Sequence, residues 1–196
     1  MLDRAKLGGV EPPATASELC TPRAVLRHWR DDDREPFAEL NADPDVMEHF
    51  PKVLTRADSD AFVDRIMAGL TERGWGLWAV EVTATGGFAG FVGLNPVTFD
   101  ARFTPAVEIG WRLGRSYWGQ GIATEAARAA LSYAFGTLAL GEVVSFTSTT
   151  NLRSQRVMQK LGMHHDPADD FDHPALPPGH HLRRHVLYRV ARASRR

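Results

Sequence analysis

The chain has 196 residues, 43% of them hydrophobic and 24% charged, enough for one domain with a substantial core. Its 23 Lys+Arg against 24 Asp+Glu leave a formal net charge of −1, which argues against general nucleic-acid or anionic-membrane binding, since both run on excess cations. The lone cysteine, Cys20, excludes an intrachain disulfide framework and a cysteine-rich zinc site, and no apolar run approaches the roughly 20 residues of a membrane helix.

Residues 1–20 are rich in Gly, Pro, Ala and Glu without periodicity, and predict a loose lead-in. Met1 to Thr15 carries both signs of charge and no apolar segment, so no secretory leader is expected and the location is read as cytoplasmic. Ala24 to Arg30 partly alternates and predicts a strand. Asp31, Asp32 and Asp33 mark a helix start, because carboxylates favour the bare N–H groups of a first turn; Phe37 and Leu40 follow at helical spacing. Thr55 with Asp58 is a variant capping box, and Phe62, Ile66 and Leu70 form the apolar stripe of the helix it starts. Strands are predicted over Gly76–Val82 and Phe88–Leu94, joined by a Gly86-Gly87 turn, and over Ala106–Leu113. A glycine-bearing turn, Trp118 to Gly121, leads into an Ala-rich helix ending near Phe135. Val143–Thr147 reads as a strand. Asn151 reads as the N-cap of a helix that runs to Leu161 and stops at Gly162. The His-, Pro- and Asp-rich stretch 164–181 predicts a long loop, His185–Val190 a closing strand, and 193–196 a frayed basic end. Strands and helices in this order predict a single α/β domain over 21–192 with a mixed sheet.

The turn carries the chemistry. A helix N-terminus presents unpaired N–H groups and a partial positive charge, and glycines let the backbone close on a ligand. Together these suit a pyrophosphate; the alternative is a tight turn with nothing bound. The chain contains no Gly-x-x-x-x-Gly-Lys-Ser/Thr phosphate loop. A dinucleotide fingerprint fits poorly, because Gly119-x-Gly121 leads to Thr124 where Gly or Ala is needed, and the acidic residue downstream, Glu142, opens a strand rather than ending one.

Three segments in order, Glu108-Ile109-Gly110-Trp111, Tyr117-Trp118-Gly119-Gln120-Gly121-Ile122-Ala123-Thr124-Glu125-Ala126, and Asn151-Leu152-Arg153-Ser154 through Lys160-Leu161-Gly162-Met163, resemble the GNAT acetyltransferase superfamily. Within it, the chain is most similar to the RimJ/RimL-like branch of protein N-terminal acetyltransferases. The likeness spans roughly Thr21 to Val190 and implies a mixed, mostly antiparallel sheet of about seven strands flanked by helices. Trp118 stands where the superfamily has Gln or Arg, while Gly121 and Ala123 keep its pattern.

The resemblance implies acetyl-CoA as co-substrate, with no metal. The loop Trp118, Gly119, Gln120, Gly121, Ile122, Ala123 and Thr124 would take the pyrophosphate on its backbone N–H groups. The strand at Ile109, Trp111 and Leu113 would pair with the pantetheine amides in the manner of an added strand, and Asn151 would contact the pantetheine arm while capping its helix. Acetyl transfer needs a neutral amine, a donor for the thioester oxygen and a donor for the departing thiolate. The resemblance assigns the last role to Ser154, whose alternative is a first-turn bond to the cap region. Glu108 is the first candidate base, if burial raises its pKa; its alternative is a structural carboxylate paired with Arg112 or another Arg. Asp172 and His173 are second candidates. Tyr188 is a further candidate thiolate donor, with packing as its alternative.

His164-His165, His180-His181 and His185 raise a metal question, but Pro174, Pro177 and Pro178 crowd that region and no cysteine cluster assists, so no zinc site is expected. The expected function is acetylation of a primary amine, either a protein N-terminus or a small molecule, by direct attack in a ternary complex. The alternative from another class is a non-catalytic acyl-CoA-binding module. A monomer or homodimer is expected, on the analogy alone.

Overall fold

The computed structural model describes residues 18–193. The lead-in and the basic tail expected at the two ends lie mostly outside them. Among the described residues nine strands form one sheet in the order β1-β2-β3-β4-β5-β6-β9-β7, with β8 also on β9. They are β1 (Leu19–Cys20), β2 (Ala24–Arg27), β3 (Leu77–Val82), β4 (Gly87–Pro96), β5 (Val107–Leu113), β6 (Glu142–Ser148), β7 (His164–His165), β8 (Phe171–Asp172) and β9 (Arg184–Ala191). The helices are α1 (Arg34–Ala42), α2 (Arg56–Arg73), α3 (Ile122–Gly136) and α4 (Leu152–Lys160). The expected α/β domain with a mixed, mostly antiparallel sheet is what forms. Every pairing among the described residues is antiparallel except β5 with β6.

Three local expectations change. Leu19 and Cys20 leave the lead-in and pair with Leu26 and Val25. The first predicted strand stops at Arg27 rather than Arg30, because Asp33 turns back to accept from Arg30 N–H at 2.8 Å and from both Arg27 Nη atoms at 2.7 and 2.8 Å. The 164–181 stretch is not one loop. Asp166 caps a short 3-10 turn over Pro167–Asp169, and β7 and β8 on either side add to β9. Phe171 holds that second piece down by joining an aromatic cluster with Phe99, Phe103 and Phe146.

The caps behave as local chemistry dictates. Thr55 accepts from Asp58 N–H at 3.1 Å to start α2, and Gly74 ends it in the left-handed conformation. The central core fills both faces of the sheet. Trp78 meets Tyr133 of α3 edge-on on one face; Phe91 meets Phe37 of α1 and Phe62 of α2 on the other. That two-sided cover fixes which way each β5 side chain points. Register pairs Arg112 with Phe91 and Glu108 with Asn95, so Glu108, Gly110 and Arg112 share the α1/α2 face. Ile109, Trp111 and Leu113 share the α3 face.

Candidate active site

β5 and β6 run parallel but touch in register at a single point, Glu108 with Val144. Beyond it they diverge toward their C-terminal ends and open a V. Gly114 N–H donates to Ala89 O at 2.9 Å and Val97 N–H donates to Ala106 O at 3.0 Å. Even-numbered residues of β5 therefore spend their backbone groups on β4, and Ile109, Trp111 and Leu113 turn theirs into the V. The Leu113 carbonyl is taken by the Trp118 indole N–H at 2.8 Å. The remainder of that edge beyond the contact with Val144 has no strand beside it among the described residues.

At the mouth of the V stands the glycine turn. Gly119 and Gly121 hold φ of 72° and 81°, a conformation that side chains with a Cβ adopt only at a cost. Trp118 N–H closes a turn onto Arg115 O, and Glu125 N–H is the first of α3 to find its partner, Gly121 O. The six N–H groups between them, Gly119 to Thr124, have no protein acceptor among the described residues. Arg153 and Arg156 of α4, one turn apart, and Lys160 one turn further on, flank this bare helix start. The Arg153 guanidinium lies 4.4 Å over the Trp118 ring.

One cavity of about 950 Å³ joins these parts. It runs from the turn, through the V past Ser145, Thr147 and Ser154, to Glu108, Arg112, His173 and His185. A second groove of about 450 Å³ adjoins it, sharing Gly121, Thr124 and Lys160 and adding Arg23 and Arg128. Of the expected site residues, Trp111, Leu113, Trp118, Gly119, Gly121, Ile122, Ala123, Thr124, Asn151, Ser154 and Glu108 line the main cavity. Ile109 is fully buried and offers only its backbone edge. The Gln120 carbonyl accepts from Arg23 Nη1 at 2.7 Å, and the Gln120 side chain stays outside.

Glu108 leans over Gly110, where a Cβ would sit 3.8 Å from Glu108 Oε1. It has no ion pair and no hydrogen bond to its carboxylate among the described residues, so the pairing with Arg112 considered from sequence does not form. Surrounding protein strips it of water, and burial pushes its carboxyl up to about 8. Arg112 also stands apart, donating to Asn41 Oδ1 at 2.6 Å.

Asn151 is first a cap. Its Oδ1 accepts from Ser154 N–H at 3.1 Å, while its Nδ2 donates to Thr147 Oγ1 at 2.9 Å and to Ser154 Oγ at 3.1 Å. Both amide hydrogens are used, and Ser154 is left with its own O–H free to donate into the cavity. Asp172 points elsewhere: Arg183 and Arg184 pair with it at the surface, and the Arg183 hydrogen bond holds its carboxyl below the usual range. His173 lies in the cavity with its ring 5.0 Å from that of His185, and burial lowers the pKa of both. Tyr188 lies off the cavity wall, buried and stacked on His165.

Sequence reasoning passed over His49, which lines the cavity near Ser148, and the cationic face of α4. The latter had a signal: Arg153, Arg156 and Lys160 recur at helical spacing directly after the Asn151 cap.

The GNAT acetyltransferase domain model matches residues 23–164. An Aspergillus fumigatus enzyme named FsC-acetyl coenzyme A-N(2)-transacetylase is 34% identical over 168 residues, covering 82% of this chain and 71% of that one. The crystal structure of a GNAT-family acetyltransferase from Bacillus anthracis superposes with a TM-score of 0.74 at 25% identity, over 90% of this chain and 99% of that one. RimL, a ribosomal L7/L12 alpha-N-protein acetyltransferase solved with coenzyme A, shares the fold at a TM-score of 0.70 and 15% identity, over 89% of this chain and 98% of that one. The chain belongs to the GNAT acetyltransferase family, on a RimL-like fold, and is an N-acetyltransferase.

Proposed function

We propose that this enzyme moves the acetyl group of acetyl-CoA to a primary amine by direct attack in a ternary complex. The observation that carries the proposal is the continuity of two unsatisfied backbone surfaces. Six free N–H groups at the start of α3 suit a pyrophosphate, and the same cavity joins them to the open edge of β5 at Trp111, which suits the pantetheine amides. Arg153, Arg156 and Lys160 supply charge for the phosphates. The side groove beside Arg23 and Arg128 suits the nucleotide end.

The residues then divide the work. Ser154 meets the sulfur at the V and donates its O–H to the departing thiolate. Free N–H groups on the β5 edge are the donors for the thioester oxygen as it becomes anionic. Glu108 takes the proton of the amine. A carboxylate poised near 8 is matched to that task, because it binds the proton firmly and still ionises near neutral pH. As the amine nitrogen bonds to the acetyl carbon the carbon–sulfur bond breaks, and the net transfer is one proton from nitrogen to sulfur. Having its side chain on the α1/α2 face, Glu108 requires the amine to approach from that side, opposite the α3 face.

Calorimetric titration with CoA and with NAD tests the assignment. Binding of CoA in the micromolar range with no heat from NAD is expected; equal binding of both, or binding of neither, would remove it. Release of thiol from acetyl-CoA in the presence of an amine separates the enzyme from a module that only binds.

A further inference from the structure

On the same face of β5 as Glu108, four residues on, stands Arg112, and between them Gly110 has no side chain. The Arg112 side chain is 9% exposed. Its guanidinium is boxed by rings: Phe50 at 4.0 Å, Phe62 at 5.5 Å and Phe91 at 5.6 Å. Rings cover the faces of a guanidinium and leave its hydrogen bonds to run in the plane. One in-plane corner, Nη1, is held by the neutral Asn41. Nε is buried without any acceptor, and no carboxylate pairs with the group among the described residues. A buried charge in this state is expensive unless something compensates it, and burial does pull the Arg112 pKa down, to about 10.

Among the described residues, none supplies the missing anion. Asp45, at the cavity wall, pairs with Arg115, and Glu48 pairs with Arg153. Arg65 and Arg73 of α2 also line the cavity; Arg73 lies 4.0 Å from Glu72, whereas Arg65, over the same Phe62 ring as Arg112, has no carboxylate partner among the described residues. This end is thus cationic, apart from Glu108 itself.

We propose that the acceptor is a primary amine that also carries a carboxylate: the amine is received at Glu108, and the carboxylate is received beside Arg112, with Gly110 opening the space between. The inference rests on the acetyl-transfer reading above. On a strand the two anchor residues are separated by roughly 13 Å at the backbone, and their side chains shorten the span. The acid therefore belongs several bonds from the amine, as in an ω-amino acid or in a peptide with an acidic residue next to its N-terminus.

The test uses matched pairs and the intact protein. Thiol release from acetyl-CoA is measured with 5-aminopentanoate and its carboxamide, and with the peptide amides Ser-Asp-Ala and Ser-Asn-Ala. The acid is expected to exceed its amide partner about tenfold or more in kcat/KM, the value of one charge-assisted hydrogen bond. Preference within the first pair identifies a small acceptor and within the second a peptide. In Arg112→Gln the preference should fall to within about twofold. Should that variant fail to fold, Arg65→Gln, on the exposed flank of α2, should reduce the preference. Independently of turnover, N-acetyl-5-aminopentanoate should raise the melting temperature of the CoA complex while its carboxamide does not. Turnover that is equal for acid and amide would overturn the anion site and leave the acetyl-transfer reading standing. A carboxylate-selective thermal shift with no thiol release from any amine would do the reverse.

Discussion

Replacing Glu108 by Gln removes a titratable proton and little else, so stability and turnover should move in opposite directions. Burial raises the carboxyl from its ordinary 4.5 to about 8 in the folded protein. A group whose folded pKa is raised favours folding fully below its unfolded pKa, and that contribution is lost as pH rises through the folded value. At about 1.4 kcal/mol per pH unit, forgoing the ionisation that the unfolded chain enjoys costs roughly 2 kcal/mol at pH 6 and approaches roughly 5 kcal/mol above pH 8. Gln carries no such cost. The variant should match the wild type at pH 4 and gain on it steadily to pH 8. Roughly 2–4 °C per kcal/mol for a chain of this size gives a final advantage on the order of 10 °C. Meanwhile kcat/KM should drop about 100-fold or more through loss of the base, and the wild-type rate should rise with pH through about 8. Thermal unfolding of both proteins from pH 4 to 9, with turnover on the same samples, checks both halves. A melting difference that does not change with pH would refute the buried, proton-holding carboxyl.

Other perturbations read other parts of the site. Gly121→Val places a branched side chain at a φ of 81°, where its Cβ meets Arg23 Nη2 at 3.3 Å; CoA affinity measured by calorimetry should fall more than about tenfold, and unchanged affinity would dissociate the turn from the phosphates. Ser154→Ala should lower turnover about tenfold or more while the acetyl-CoA dissociation constant stays within about twofold, because the Asn151 cap retains its bond to the backbone N–H of residue 154; equal turnover would release Ser154 from the thiolate role. Asp33→Ala breaks a pair in which each side chain is only 4% exposed, and should cost about 3–5 kcal/mol, or on the order of 10 °C in melting temperature; a shift under about 2 °C would show that Glu81 alone satisfies Arg27.

What the sequence revealed and what it hid have the same cause, the range of the interaction. Helix starts were legible because caps are local: Thr55 and Asp58 sit three residues apart, as do Asn151 and Ser154, and each pair bonds as spacing alone requires. The turn at Trp118–Thr124 was legible for the same reason. Its glycines serve only the few residues around them. By contrast, β8 exists because Phe171 finds Phe99 and Phe103 some 70 residues away, and nothing in a His-, Pro- and Asp-rich run announces that. Glu108 was found as a candidate, yet its environment is assembled from β4, β6 and the segment after α4. Arg112 looked like its natural partner by position in the strand. Only the rings of Phe50, Phe62 and Phe91, drawn from three other segments, show that the guanidinium is held on its own.

The most direct measurement is a crystal structure of the protein with coenzyme A. The account predicts the diphosphate within hydrogen-bonding distance of the backbone nitrogens of residues 119–124, the pantetheine bonded to Trp111 between β5 and β6, and the sulfur near Ser154 Oγ. A coenzyme seated outside the V, or a V closed by continued pairing of β5 with β6, would contradict it.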